Sequence, residues 1–146
     1  MEDRTRHPLR AIIIGTGRVG STCAYSLQLS GLVSEIILID PNQERAKGEA
    51  MDLNHGMLFS RPVQVWAGEF ADCAEADIVV LAAGVPQQPG ETRLDLLRRN
   101  VNVFEEIVPQ VIQYTADAIL PQESNYFVLL KCRPQDLLDP LVALQK

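Results

Sequence analysis

Residues 11–20 read AIIIGTGRVG. An apolar run with the pattern of a buried strand leaves through Gly15, Gly17 and Gly20, spaced G-x-G-x-x-G. Glycine weakens any strand or helix that contains it, so three at this spacing need a reason. A tight strand-to-helix turn supplies one. Gly15 tolerates the unusual backbone angles of the turn, Gly17 offers bare backbone to an approaching phosphate, and Gly20 lets the next helix pack close to the strand. Arg18 and Val19 stand at the start of that helix, where free N–H groups and the positive dipole end favour an anion.

The rest of the chain repeats the strand–helix alternation. EIILID (35–40), VQVW (63–66) and DIVVLAAG (77–84) are further apolar runs. Residues 19–30 read as a helix closed by Gly31, and a second helix starts at Pro41 and Asn42, with Ala46, Ala50, Met51 and Leu53 on its apolar face. VPQQPGETR (85–93) is a loop, and a long helix follows. Leu94, Leu97, Val101, Phe104, Val108 and Val111 form its expected buried stripe, and Pro109 is expected to kink or end it. Short apolar strands without alternation, separated by helices, predict an α/β fold: a doubly wound parallel sheet of the Rossmann type. DAIL (117–120) reads as the fifth strand, FVLLK (127–131) as its resumption after PQESNY, and 134–146 as a helix disturbed by Pro140. Five strands are expected, with the sixth strand of the sheet missing. The expected organisation is a flexible tail over 1–8 and one dinucleotide-binding domain over 9–146, with no substrate domain.

The second apolar run ends in Asp40, twenty positions after Gly20. A carboxylate there can accept the hydroxyls of an adenosine ribose and would repel a 2′-phosphate, which favours NAD over NADP. Two alternatives stay open on the residues alone. The glycines and Asp40 could form a structural turn and a helix cap, or the same sheet edge could read a mononucleotide or S-adenosylmethionine.

Composition narrows the partners. The net charge is −6 over 146 residues, and a phosphate-backbone partner wants a basic face, so nucleic acid is not expected. No apolar run nears the roughly 20 residues that span a bilayer, and the first ten residues lack a signal-peptide core, so no membrane is expected and the location is expected to be cytoplasmic. Cys23, Cys73 and Cys132 lack metal-ligand spacing and read as buried or half-buried reduced thiols, with no metal site.

Taken together, GTGRVGSTCAYSL, EIILID, GEAMDLNHG and AAGVPQQPGETRLDLLRRNV resemble the lactate/malate dehydrogenase family, from about residue 9 to 120. The resemblance implies a family reaction of reversible hydride transfer between NADH and a small 2-keto acid. Arg93 matches the loop arginine that polarises the substrate carbonyl. Gln87 matches the substrate-sizing position, where glutamine suits pyruvate and arginine would pair with the second carboxylate of oxaloacetate. Ala83 and Gly84 match residues that lie along the coenzyme. His55, in MDLNH, receives no catalytic role, because its helix supports the coenzyme domain and subunit contacts in the family. A malate dehydrogenase relative and an NAD-sensing module without chemistry are the alternatives.

Two departures shape the expectations. The resemblance covers the coenzyme half only, and the family's acid–base histidine, its aspartate partner and its second arginine have no matching positions. Little or no turnover is therefore expected of this chain by itself, and exposed apolar surface is expected to drive self-association. Residues 121–136 also break the family pattern, placing Arg133 where an asparagine stands before Pro134 and Asp136.

Overall fold

The structure, a computed structural model, describes residues 9–59, 62–115, 118–119 and 127–131. The expected tail over 1–8, the helix over 134–146, Cys132 and Arg133 lie outside these residues. Four strands pair in parallel: β1 (Arg10–Ile14), β2 (Glu35–Ile39), β3 (Gln64–Ala67) and β4 (Ile78–Leu81), in the order β3-β2-β1-β4. Helices α1 (Arg18–Ser30) and α2 (Gln43–His55) connect the first three, and α3 (Arg93–Tyr114) follows β4. Short 3-10 turns over Gly56–Phe59 and Phe70–Glu75 flank β3.

The continuous apolar strands are explained by burial on both faces. Ala11 and Ile13 of β1 pack with Ala24 of α1 and with Ala46, Ala50 and Leu53 of α2. Their neighbours Ile12 and Ile14 face the other way, toward Cys73 and Val111 of α3. A strand alternates its side chains between faces, so both sets must be apolar when both faces are covered. Cys73 is buried and Cys23 half-buried, as expected for thiols of this kind.

At the amino ends of the strands one side chain ties three elements together. The Arg10 guanidinium donates to Glu35 of β2 and to Glu75 and lies 5.9 Å from the Trp66 ring centroid of β3. Its backbone N–H donates to the Asp77 carboxylate at 2.8 Å. This clamp leaves the carboxyl ends open for a site.

Four expectations need correction. First, the sheet has six strands and not five, and it does not end in a fifth parallel strand beside β4. β6 (Phe127–Lys131) pairs antiparallel with β4, and β5 (Ala118–Ile119) pairs antiparallel with β6. β5 keeps the direction expected of it, but β6 lies between it and β4. The intervening 120–126 is shorter than the dozen residues a parallel crossover needs, so the two form a hairpin. The longer apolar run then takes the β4 edge.

Second, the α3 stripe is buried only over its second half. Phe104, Ile107, Val108 and Val111 pack on the sheet, whereas Leu94, Leu97 and Val101 are exposed. A helix of 22 residues is roughly 33 Å long and a strand of four or five residues roughly half that. The first turns of α3 therefore overhang the sheet. Third, Met51 is exposed and takes no part in the α2 contact. Fourth, of the two outcomes expected at Pro109, the helix does not end there: α3 runs on to Tyr114. Pro109 and Glu105 are both exposed, so water can replace the N–H that proline lacks.

Candidate functional site

The carboxyl ends of β1 and β4 meet where successive connections leave on opposite sides of the sheet, the place where such sheets form a crevice. The glycine turn lies there. Gly15 adopts φ +94°, and a Cβ on it would sit 2.5 Å from the Ala83 backbone nitrogen. Its own N–H donates to the Ile39 carbonyl at 2.7 Å, which joins the turn to β2. A Cβ on Gly20 would collide with the Gly15 carbonyl oxygen. Gly17 differs from both: nothing lies within 4 Å of where its Cβ would be. It is the N-cap of α1 and provides no side-chain cap, whereas Asn42 and Thr92 cap α2 and α3. The first N–H groups of α1 thus have no side-chain acceptor at the cap. Arg18 and Val19 open α1 and are exposed.

Asp40 is buried at the end of β2, 6% exposed. Its Oδ2 accepts from the Thr16 N–H at 2.8 Å and the Thr16 hydroxyl at 2.9 Å, and its Oδ1 from the Asn42 N–H at 2.9 Å. A carboxylate has about four acceptor positions, so roughly one is left for a ligand. Asp40 does two things at once: it ties the glycine turn to the start of α2, and it lines the crevice.

A cleft of about 610 Å³ opens over these residues. Gly15, Asp40 and Ala83 line it, with Gly68, Glu69 and Phe70 after β3 and Val103, Glu106, Ile107 and Gln110 of α3. The α3 face and the residues after β3 are parts of the cleft that the sequence pattern does not mark as a site. Gly68 in WAGEF, the glycine directly after a strand, was the available signal. Thr16 was also missed, because its partner Asp40 is 24 positions away.

Gln87 and Arg93 do not line this cleft. Both are exposed, Gln87 on the segment between β4 and α3 and Arg93 at its end. Arg93 is the first residue of α3, and no hydrogen bond or ion pair holds its guanidinium among the described residues. Gln87 Nε2 donates to the Glu91 carbonyl at 2.8 Å. Gly84 is exposed next to Asn100, whose Oδ1 accepts from the Val85 N–H at 2.9 Å. The Glu91 carboxyl is held below the usual carboxylate range, first by the Gln88 N–H and then by the Arg99 guanidinium. These ties are in place at neutral pH and weaken only as pH falls through that lowered value. His55 lies exposed at the end of α2, and Asn54 Nδ2 beside it donates to the Val65 carbonyl at 2.7 Å, a packing role.

Residues 9–125 match the family model described as lactate/malate dehydrogenase, NAD binding domain. The chain belongs to this family. Within the lactate/malate dehydrogenases it corresponds to the N-terminal, NAD-binding portion of L-lactate dehydrogenases. The L-lactate dehydrogenase of Acetivibrio thermocellus is 53% identical over 116 residues, and that of Clostridium botulinum 48% over 122. The probable L-lactate dehydrogenase of Schizosaccharomyces pombe is 50% identical over 117. These alignments take in 80%, 84% and 80% of this chain but 37%, 38% and 36% of the relatives, so the chain spans little more than a third of their length. The crystal structure of a minor L-lactate dehydrogenase from Enterococcus mundtii, in a ligands-bound form, superposes with a TM-score of 0.70 at 44% identity, over 73% of this chain and 34% of that one.

The residues present fit a dinucleotide. Two glycines are closed in by backbone, and the third, at the helix start, has open space where a pyrophosphate could approach. Among the described residues no group of histidine, cysteine, aspartate and glutamate could hold a metal ion, and no helix is long and apolar enough to cross a membrane.

Proposed function

We propose that this chain binds NAD(H) with the pyrophosphate at Gly15, Gly17 and Gly20 and the first turn of α1 (Arg18, Val19), and the adenosine ribose at Asp40. The coenzyme would continue past Ala83 and Gly84. The observation that carries this is the contrast among the glycines: Gly17 faces open space at an uncapped helix start, beside a buried carboxylate with an acceptor to spare. Asp40 shares the cleft with Glu69 and Glu106, so a 2′-phosphate would meet three carboxylates. NADPH is therefore expected to bind at least about tenfold more weakly than NADH. Competition between the two, followed by NADH fluorescence, reads the ratio. Equal affinity would contradict the assignment of Asp40.

In the whole enzyme to which such a domain belongs, we assign reversible hydride transfer between NADH and pyruvate. The bound coenzyme supplies the hydride. Arg93, without an internal partner among the described residues and carried at the start of α3, would place a cation against the oxygen that gains negative charge. Gln87, uncharged, would leave no pairing partner for a second substrate carboxylate, which favours pyruvate over oxaloacetate.

Self-association belongs to the same proposal. Leu94, Leu97 and Val101 form an exposed apolar row on α3, and Met51 and Leu58 are exposed on the α2 side. Sedimentation is expected to show oligomers that grow with concentration. A clean monomer at high concentration would contradict this.

A further inference from the structure

The Glu91 side chain is 9% exposed, directly after a stretch in which Pro86, Gln87, Gln88, Pro89 and Gly90 are all exposed. Three interactions converge on it. Its carboxylate accepts from the Gln88 N–H at 2.7 Å and from Arg99 Nη1 at 2.9 and 3.1 Å. Its backbone carbonyl accepts from Gln87 Nε2 at 2.8 Å. Arg99 stands two turns into α3, beside Asn100, which holds the Val85 N–H.

We propose that Glu91 and Arg99 are positioning residues: Arg99 anchors Glu91 to α3, and Glu91 in turn sets where the Gln87 side chain points. The proposal rests on Gln87 facing substrate, as assigned above, for its functional meaning. The physical reason is that exposed loop backbone has many conformations of similar energy. A charge-assisted bond to a helix selects one of them. Neither residue touches substrate in this scheme. Each acts through Gln87, whose amide would otherwise rotate freely. Arg99 faces Glu91 and the Pro86 carbonyl at 3.5 Å, so a single guanidinium spans both halves of the loop. Gly90, at φ +82° with open space around it, gives the turn that brings Glu91 back toward Gln87 and Gln88.

The test is NMR on the full chain labelled with nitrogen-15, without coenzyme or substrate, so it stands or falls separately from NADH binding. In the wild-type chain the Gln87 side-chain amide protons are expected to exchange slowly with water. Glu91→Ala and Arg99→Met are each expected to speed that exchange about tenfold and to shift the Gln87 side-chain signals, with the melting temperature and the core signals unchanged. The double variant is expected to show no more than Glu91→Ala alone, because that variant already removes the acceptor of the Arg99 tie. Arg99→Lys, which keeps a cation, is expected to restore most of the protection. Unchanged Gln87 side-chain signals in both single variants, or additive effects in the double one, would overturn the proposal.

Discussion

Gly20→Ala is expected to destabilise the chain by about 3 kcal/mol or more, the upper part of the range for forcing atoms into a packed site. The added methyl would collide with the Gly15 carbonyl oxygen, and its other neighbour is Ile13 Cγ2 at 3.3 Å. Relief by local movement is blocked. Gly15 is itself held between the Ile39 carbonyl, which takes its N–H, and the Ala83 backbone, which leaves no room beside it. The turn therefore cannot retreat without pulling β2 or β4 out of register with β1. Set against total stabilities of about 5–15 kcal/mol, this is a large fraction, and a fall of roughly 10 °C in melting temperature is expected. Thermal unfolding followed by circular dichroism measures it. A Gly20→Ala chain that melts with the wild type would show that α1 can stand further from β1 than described.

Asp40→Ala is expected to do two kinds of damage. It removes the acceptor of the Thr16 N–H, the Thr16 hydroxyl and the Asn42 N–H. Thr16 is 1% exposed, so its N–H is left without water to replace the lost partner, at a cost of about 1–3 kcal/mol. It also removes the charged acceptor proposed for the ribose. Hydrogen bonds to charged groups contribute about 1.5–3 kcal/mol, so NADH affinity is expected to fall between about tenfold and a hundredfold. The penalty on NADPH should shrink at the same time, since one of three carboxylates has gone. Fluorescence titration with both coenzymes separates these effects. A weakened NADH site with an unchanged NADPH ratio would show that Asp40 serves the turn and not the ribose.

The parts of this molecule that were legible in the sequence are those set by local geometry. Strand ends at Gly15, a helix that stops at Gly31 with φ +65°, and the caps at Asn42 and Thr92 each depend on residues within a few positions of one another. The glycine spacing identified three residues, and it implied the positive φ of Gly15 and the close approach at Gly20, both of which demand glycine. What was not legible depends on distant partners. Helical periodicity shows which side of α3 is apolar, but not that the sheet beneath it ends near Phe104, so Leu94 and Leu97 read as core. Pairing of β6 against β4 depends on which of two apolar runs wins an edge nearly fifty residues away, and nothing local decides that. The commitment of Asp40 to Thr16 appears only once β1 and β2 lie side by side.

Calorimetric titration of NADH into the wild-type chain and into Gly17→Val tests the central claim most directly. Gly17 has open space around its Cβ position, so the substitution is expected to leave the fold and the melting temperature nearly unchanged while its side chain occupies the proposed pyrophosphate approach. The expected result is saturable binding of one NADH per wild-type chain, lost in Gly17→Val. A folded wild-type chain that binds no NADH, or equal binding by both chains, would contradict the claim that the glycine turn is the coenzyme site.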